Sequence, residues 1–173
     1  MAKLNLKHKI RNIPNWPQKG IIFRDITPLL QDKKYFRQAI DDLTRLFKGQ
    51  KIDKIVGIDA RGFLLAAAMA YKLGTGMAII RKKGKLPHKT LSQDYTLEYG
   101  KATIEIHNDA IKKGERVLIV DDVIATGGTL EAAVKLVKRL KGKLLGIALL
   151  INLKDLTGLK KLKGIKVKYL MEF

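Results

Sequence analysis

The sequence predicts an α/β fold, a mainly parallel sheet flanked by helices, and three observations carry that expectation. Several short runs are continuously apolar rather than alternating: KIVGID at 54–59, GMAII at 76–80, ERVLIVDD at 115–122 and KLLGIALLIN at 143–152. Strands read this way when helices cover both faces of a parallel sheet. Helix-length segments separate the runs. The 173 residues include 46% hydrophobic side chains, four prolines and no cysteine. That suits one ordinary globular domain, residues 1–173, without disulfide or thiolate chemistry.

Each element can be justified in turn. Residues 33–48 carry Phe36, Ile40, Leu43 and Phe47 at helical spacing among charges. The strand at 54–59 leads into GFLLAAAMAYKL, a nearly all-apolar helix, and then into the strand at 76–80. The stretch from about 81 to 107 breaks this rhythm. RKKGKLP is basic and turn-rich. Tyr95, Leu97 and Tyr99 then alternate with Thr96 and Glu98, and alternation resumes from Thr103 to Ile106 after Gly100. This predicts a hairpin projecting from the sheet, the kind of insertion that often acts as a lid. After the strand at 115–122, a helix is expected from Gly128 to about Lys141. Leu130, Ala133, Val134, Val137 and Leu140 line one face, and Glu131 stands four residues before Lys135. The run 143–152 is a fourth strand and IKVKYL at 165–170 a fifth.

Charge is the unusual bulk property. Thirty-five basic against 16 acidic residues leave +19, and residues 135–168 hold eleven Lys or Arg with one acid, Asp155. Such an excess attracts polyanions without naming one. No aromatic side chain interleaves the cluster before Tyr169, which argues against a stacking platform for single strands. A solvated surface is the expectation. The basic N-terminus lacks the apolar run of a signal peptide, and LLGIALLI at 144–151 is too short to span a bilayer. A cytoplasmic protein without membrane attachment is therefore expected.

The stretch VLIVDDVIATGGT at 117–129 carries the chemistry. In parallel sheets ligands gather at the carboxyl ends of strands, where helix N-termini present backbone N–H groups to anions. Two glycines let the backbone approach a phosphate, and Thr126 and Thr129 add hydroxyls. The pattern is neither GxxxxGK[ST] nor GxGxxG. Asp121 and Asp122 would repel a bare phosphate, but they suit ribose hydroxyls or a magnesium ion. The ligand implied has a phosphate at one end and a polyol in the middle, as a sugar phosphate does.

VLIVDDVIATGGT resembles the phosphoribosyl-diphosphate (PRPP) signature of the type I phosphoribosyltransferases. The resemblance implies that family's fold, with a small N-terminal hood at about 1–30 and a mobile hairpin at about 81–107. It also implies that Ala125, Thr126, Gly127, Gly128 and Thr129 hold phosphate while Asp121 and Asp122 hold ribose. Magnesium would be carried mainly by PRPP, near the two aspartates. Three further stretches resemble the adenine-specific members. In GIIFRDITPLL at 20–30, Ile22 and Arg24 would offer backbone groups to the adenine edge and Phe23 would stack on the ring. In GIDARGFLL at 57–65, Arg61 follows Asp59 and could fork onto diphosphate oxygens. Arg81, Lys82, Lys85 and Tyr99 would also meet diphosphate. YTLEYG at 95–100 matches the family's catalytic loop, with Glu98 as the acid–base residue.

The implied reaction joins adenine N9 to C1 of PRPP, giving AMP and diphosphate, in a homodimer. Two alternatives differ in acceptor or in class. A transferase for a 6-oxopurine would want a donor such as lysine opposite the 6-oxo group. A PRPP-sensing regulator that binds nucleic acid would draw on the +19 charge. It would have no need of Glu98 or of the purine-binding segment, so nucleic acid is not the expected partner.

Overall fold

In a computed structural model of the chain, residues 3–96 and 100–173 are described. They form two compact units that divide between Asp42 and Leu43.

The smaller unit begins with a 3₁₀ turn at Leu6–Lys9, followed by an antiparallel hairpin of β1 (Arg11–Pro14) and β2 (Ile22–Asp25). Its register pairs Arg11 with Asp25 and Pro14 with Ile22. Asp25 ends β2 buried. Its carboxylate accepts hydrogen bonds from the N–H and hydroxyl of Thr27, at 2.9 and 2.8 Å, where α1 (Thr27–Gln31) starts. Pro28 suits that first turn, because its missing N–H would have had no helical partner. Helix α2 (Lys33–Arg45) follows and runs across the boundary between the units. Gln38 on α2 clasps Leu4 through two 2.8 Å bonds, one to each backbone polar group.

The larger unit holds a seven-stranded sheet of order β5-β6-β4-β3-β7-β8-β9. Strands β3 (Lys54–Ile58), β4 (Gly76–Lys82), β7 (Arg116–Ile124), β8 (Lys143–Asn152) and β9 (Val167–Glu172) are mutually parallel. Four of these are the apolar runs of the sequence, and β9 is the expected fifth strand displaced from 165–170 to 167–172. Strand β7 extends two residues further than expected, so Val123 and Ile124 belong to it and Ile124 pairs with Asn152. Helices α3 (Arg61–Leu73) and α4 (Gly128–Arg139) cross from β3 to β4 and from β7 to β8. The two crossovers run in opposite directions from the β3–β7 pair, so right-handed connections put the helices on opposite faces.

Side-chain alternation along β7 follows from that arrangement. Val117 and Ile119 join Leu130, Val134 and Val137 of α4 in one cluster, and Leu118 and Val120 are equally buried outside it. Each buried aliphatic side chain stabilises the fold by roughly 1.5–3 kcal/mol. Gly57 lets α3 come close to β3, since a methyl group there would sit 2.7 Å from Ala66 Cβ.

Strands β5 (Thr90–Thr96) and β6 (Lys101–His107) form a hairpin within the expected 81–107 stretch, but β5 begins five residues before the Tyr95–Tyr99 alternation that predicted it, and both strands extend the sheet. Strand β6 joins the sheet edge through Arg81 opposite Glu105 and Lys82 opposite Ile104, while β5 packs on α4. Beyond β8, a short helix α5 (Gly158–Lys161) precedes β9. No periodicity in the sequence announced α5, α1 or the β1–β2 hairpin. All are too short to show one.

Candidate active site

Among the five parallel strands the order is β4-β3-β7-β8-β9, so the connections reverse direction between β3 and β7. A reversal of this kind opens a crevice at the carboxyl ends of the two strands. Both acidic motifs end there.

On the β3 side, Asp59 follows the strand and Arg61 opens α3. The parallel register sets Ile58 beside Ile80, and so brings Asp59 to Arg81 at the end of β4. Arg81 Nε donates to Asp59 Oδ2 at 3.1 Å, and its Nη1 donates to the Lys85 carbonyl at 3.2 Å. Arg81 therefore ties the end of β3 to the basic turn. Buried Glu105 holds that turn from the other side, accepting from Gly84 N at 3.0 Å and Ser92 Oγ at 3.1 Å. Lys82 and Lys85 remain exposed.

On the β7 side, Asp122 is buried and Asp121 half-buried. Arg61 Nη2 lies 2.6 Å from Asp122 Oδ2, while Asp121 Oδ1 accepts from Asp122 N at 2.8 Å. Burial pushes the Asp121 carboxyl well above the usual carboxylate range, and the neighbouring Asp122 charge adds to the rise. Asp122 is also raised by burial, against the pull of the Arg61 guanidinium. Burial thus works against ionisation of both carboxyls, and the Arg61 guanidinium offsets part of that effect. Gly62 permits this closeness, because a methyl carbon there would lie 2.6 Å from Asp121 Oδ1. The sequence reading assigned Arg61 to diphosphate and did not foresee its pairing with Asp122.

The phosphate-loop candidates lie where β7 gives way to α4. Gly127 adopts φ +78° as the residue before the helix, a left-handed conformation that glycine takes without a side-chain penalty. The Glu131 N–H closes the first helical bond onto the Gly127 carbonyl at 2.9 Å. Gly128 and Thr129 occupy the first turn, and Ala125 and Thr126 lead into it. Tyr95 and Thr96 of β5 lie against Gly128: a methyl carbon there would be 3.2 Å from Tyr95 Cδ2 and 3.0 Å from the Thr96 carbonyl oxygen. Glu98 and Tyr99 fall outside the described residues. Among the described residues, no cluster of three or more His, Asp or Glu could hold a metal. Two half-screened carboxylates fit magnesium that arrives with its own phosphate ligands rather than one in an all-protein cage.

The base-binding candidates belong to the smaller unit. Ile22 is 50% exposed on β2, and Arg24 Nη1 donates to Asn12 Oδ1 at 2.6 Å. Phe23 meets Trp16 edge-on, with centroids 4.3 Å apart and planes at 64°. Trp16, half exposed, was not singled out from the sequence. Its isolation in a Pro-rich turn gave no periodic signal.

The phosphoribosyl transferase domain family matches residues 29–169. An adenine phosphoribosyltransferase of Brachyspira hyodysenteriae is 54% identical over 170 residues, covering 98% of this chain and 100% of that protein. The crystal structure of an adenine phosphoribosyltransferase from Thermoanaerobacter pseudethanolicus superposes with a TM-score of 0.95 at 49% identity, covering 97% of this chain and 98% of that one. The Saccharomyces cerevisiae enzyme, solved with an imino-altritol bisphosphate and adenine, matches at a TM-score of 0.87 and 38% identity, covering 96% and 95% of the two chains.

Proposed function

The chain belongs to the phosphoribosyl transferase family, and from that premise we propose that it transfers the 5-phosphoribosyl group of PRPP to adenine N9, giving AMP and diphosphate. It is a pentosyl-transferring enzyme of purine salvage. The observation that carries the reading is the meeting of Asp122 with Arg61 at the β3–β7 reversal, directly before the Gly127-Gly128 loop. A polyol site and a phosphate site then lie in sequence along one strand end, as PRPP requires.

The proposed roles follow from that placement. Ala125 to Thr129 receive the 5′-phosphate, and Asp121 and Asp122 accept the ribose hydroxyls, which fixes C1 for attack by N9. Arg61, Arg81, Lys82, Lys85 and Tyr99 face the diphosphate, whose departing charge the cations stabilise. Magnesium, brought on PRPP near Asp121 and Asp122, would supply further neutralisation of the diphosphate. Ile22 and Arg24 present backbone groups to adenine, and Phe23 stacks on it. Glu98 accepts or relays the base proton, a contribution of roughly 10²–10⁴-fold. Residues 1–173 work as one phosphoribosyltransferase domain, with about 1–30 as the base-binding hood and about 81–107 as the mobile hairpin. The enzyme is cytoplasmic and works as a homodimer. Among the described residues, no helix is long and apolar enough to cross a membrane.

One assay tests the reading: each purine with PRPP and magnesium, following diphosphate release. Adenine is the expected acceptor, and Glu98→Ala should keep PRPP binding while turnover falls about a hundredfold or more. Turnover with hypoxanthine but not adenine would overturn the acceptor, and full turnover by the variant would remove Glu98 from the chemistry.

A further inference from the structure

Two backbone segments of the larger unit meet with no side chain between them. Gly127 precedes α4, and Gly158 opens α5, 31 positions later in the chain. A methyl carbon on Gly127 would lie 2.5 Å from the Gly158 carbonyl oxygen and 3.0 Å from its Cα. A methyl carbon on Gly158 would overlap the Ala125 carbonyl oxygen, and would come within 2.8 Å of Ile124 Cγ1 and 3.0 Å of Gly127 N. Neither site has room for even the smallest side chain without moving backbone.

The contact has a directional consequence. The Ala125 carbonyl is the atom nearest the missing Gly158 side chain. Across the trans Ala125–Thr126 peptide the Thr126 N–H runs antiparallel to that carbonyl, so packing that fixes the carbonyl fixes the N–H as well. Seating α5 against the loop therefore decides which way a loop N–H points. Helix α5 has its own anchors. Leu162, 2% exposed, belongs to the core cluster and Leu159 packs against it. The N–H of Leu153 holds the preceding segment to the Ile124 carbonyl at 3.1 Å.

We propose that Gly158 is a positioning residue for the phosphate-binding loop: its bare Cα seats Ala125 to Gly128 in the conformation that accepts the 5′-phosphate of PRPP or AMP. This rests on the phosphate-loop reading above, and it adds a segment far along the chain to the apparatus that recognises the phosphate end of the ligand. A displacement on the order of 1 Å can cost about a hundredfold where alignment matters.

The test compares AMP with adenosine, which differ only in the 5′-phosphate, by calorimetry on the full chain. Gly158→Ala should weaken AMP ten- to a hundredfold while adenosine changes by less than about twofold, and KM for PRPP should rise accordingly. Leu162→Ala removes core packing but not the backbone contact. It should lower stability and leave the AMP-to-adenosine ratio at the wild-type value. In the wild-type protein, AMP but not adenosine should protect the amides of residues 156–162 from hydrogen exchange, a readout that stands even where Gly158→Ala does not fold. A folded Gly158→Ala with the wild-type ratio would overturn the assignment, as would equal protection by the two ligands or an equal shift of the ratio in Leu162→Ala. A wild-type protein that did not prefer AMP to adenosine would instead overturn the phosphate-loop reading itself.

Discussion

Asp121 illustrates a single residue set against its own ionisation. Its carboxyl is held well above the usual range, chiefly by burial and then by the Asp122 charge. The folded chain therefore keeps a proton here at pH values where the unfolded chain has lost it, so the residue costs stability as pH rises past the ordinary carboxylate pKa of about 4. Asp121→Asn should consequently gain stability relative to wild type between about pH 5 and about pH 8, while binding PRPP less tightly. Denaturant unfolding at both pH values reads the first effect and calorimetry the second. PRPP binding should also release a proton, because ribose hydroxyls and magnesium favour the ionised carboxylate. A stability difference that did not change with pH would mean that the folded and unfolded carboxyls titrate alike. The paired acids and the glycines were legible as residues. The Arg61–Asp122 ion pair was not, since its partners stand 61 positions apart and meet only because β3 and β7 are neighbours.

At the scale of elements, the β5–β6 hairpin is the informative case. Alternation over Tyr95–Tyr99 and Thr103–Ile106 announced two paired strands, and the observed pair spans 90–96 and 101–107, its first strand starting five residues earlier. Its seat was not announced. The Arg139 guanidinium at the far end of α4 donates to the Ser92 carbonyl at 2.6 Å and to Gln93 Oε1 at 3.4 Å, while Tyr95 and Thr96 rest on Gly128. One helix thus carries the proposed phosphate loop at its start and a clasp on the hairpin near its end. Removing the clasp with Arg139→Ala should speed hydrogen exchange in β5 by roughly three- to tenfold, in line with an exposed charge-assisted bond worth on the order of 1 kcal/mol. The fold around β7 and β8 should exchange as before. Unaltered β5 exchange would show that the packing of β5 on α4 suffices without the arginine.

For the whole molecule, charge and surface are the features that composition announces least completely. The +19 excess says that anions are welcome. The positioned cations Arg61 and Arg81 are each engaged by a carboxylate of the site, through Asp122 and Asp59. A guanidinium held in this way is aligned before a diphosphate arrives. Helix α3 also carries Leu64, 50% exposed, and Tyr71, 92% exposed, seven residues apart and hence on one face. In the proposed homodimer a second copy would cover that face. Light scattering should give twice the 19.4 kDa chain mass, and Tyr71→Glu should shift it toward one chain. A wild-type mass of one chain would remove the dimer.

What the sequence determined by itself is what local composition can encode. Unbroken apolar runs announced four of the five parallel strands, helical periodicity announced α2 and α4, an almost all-apolar segment announced α3, and the Asp-Asp and Gly-Gly pairs pointed to a polyol beside a phosphate. Tertiary structure alone decided the strand order, and with it the reversal between β3 and β7 that brings Arg61 to Asp122. It also decided that Gly158, unremarkable in its own stretch LTGLKK, would lie against Gly127. The reason is physical. Periodicity reports which face of an element is buried, whereas the partner it is buried against depends on how the crossovers run, and that information is spread over the whole chain.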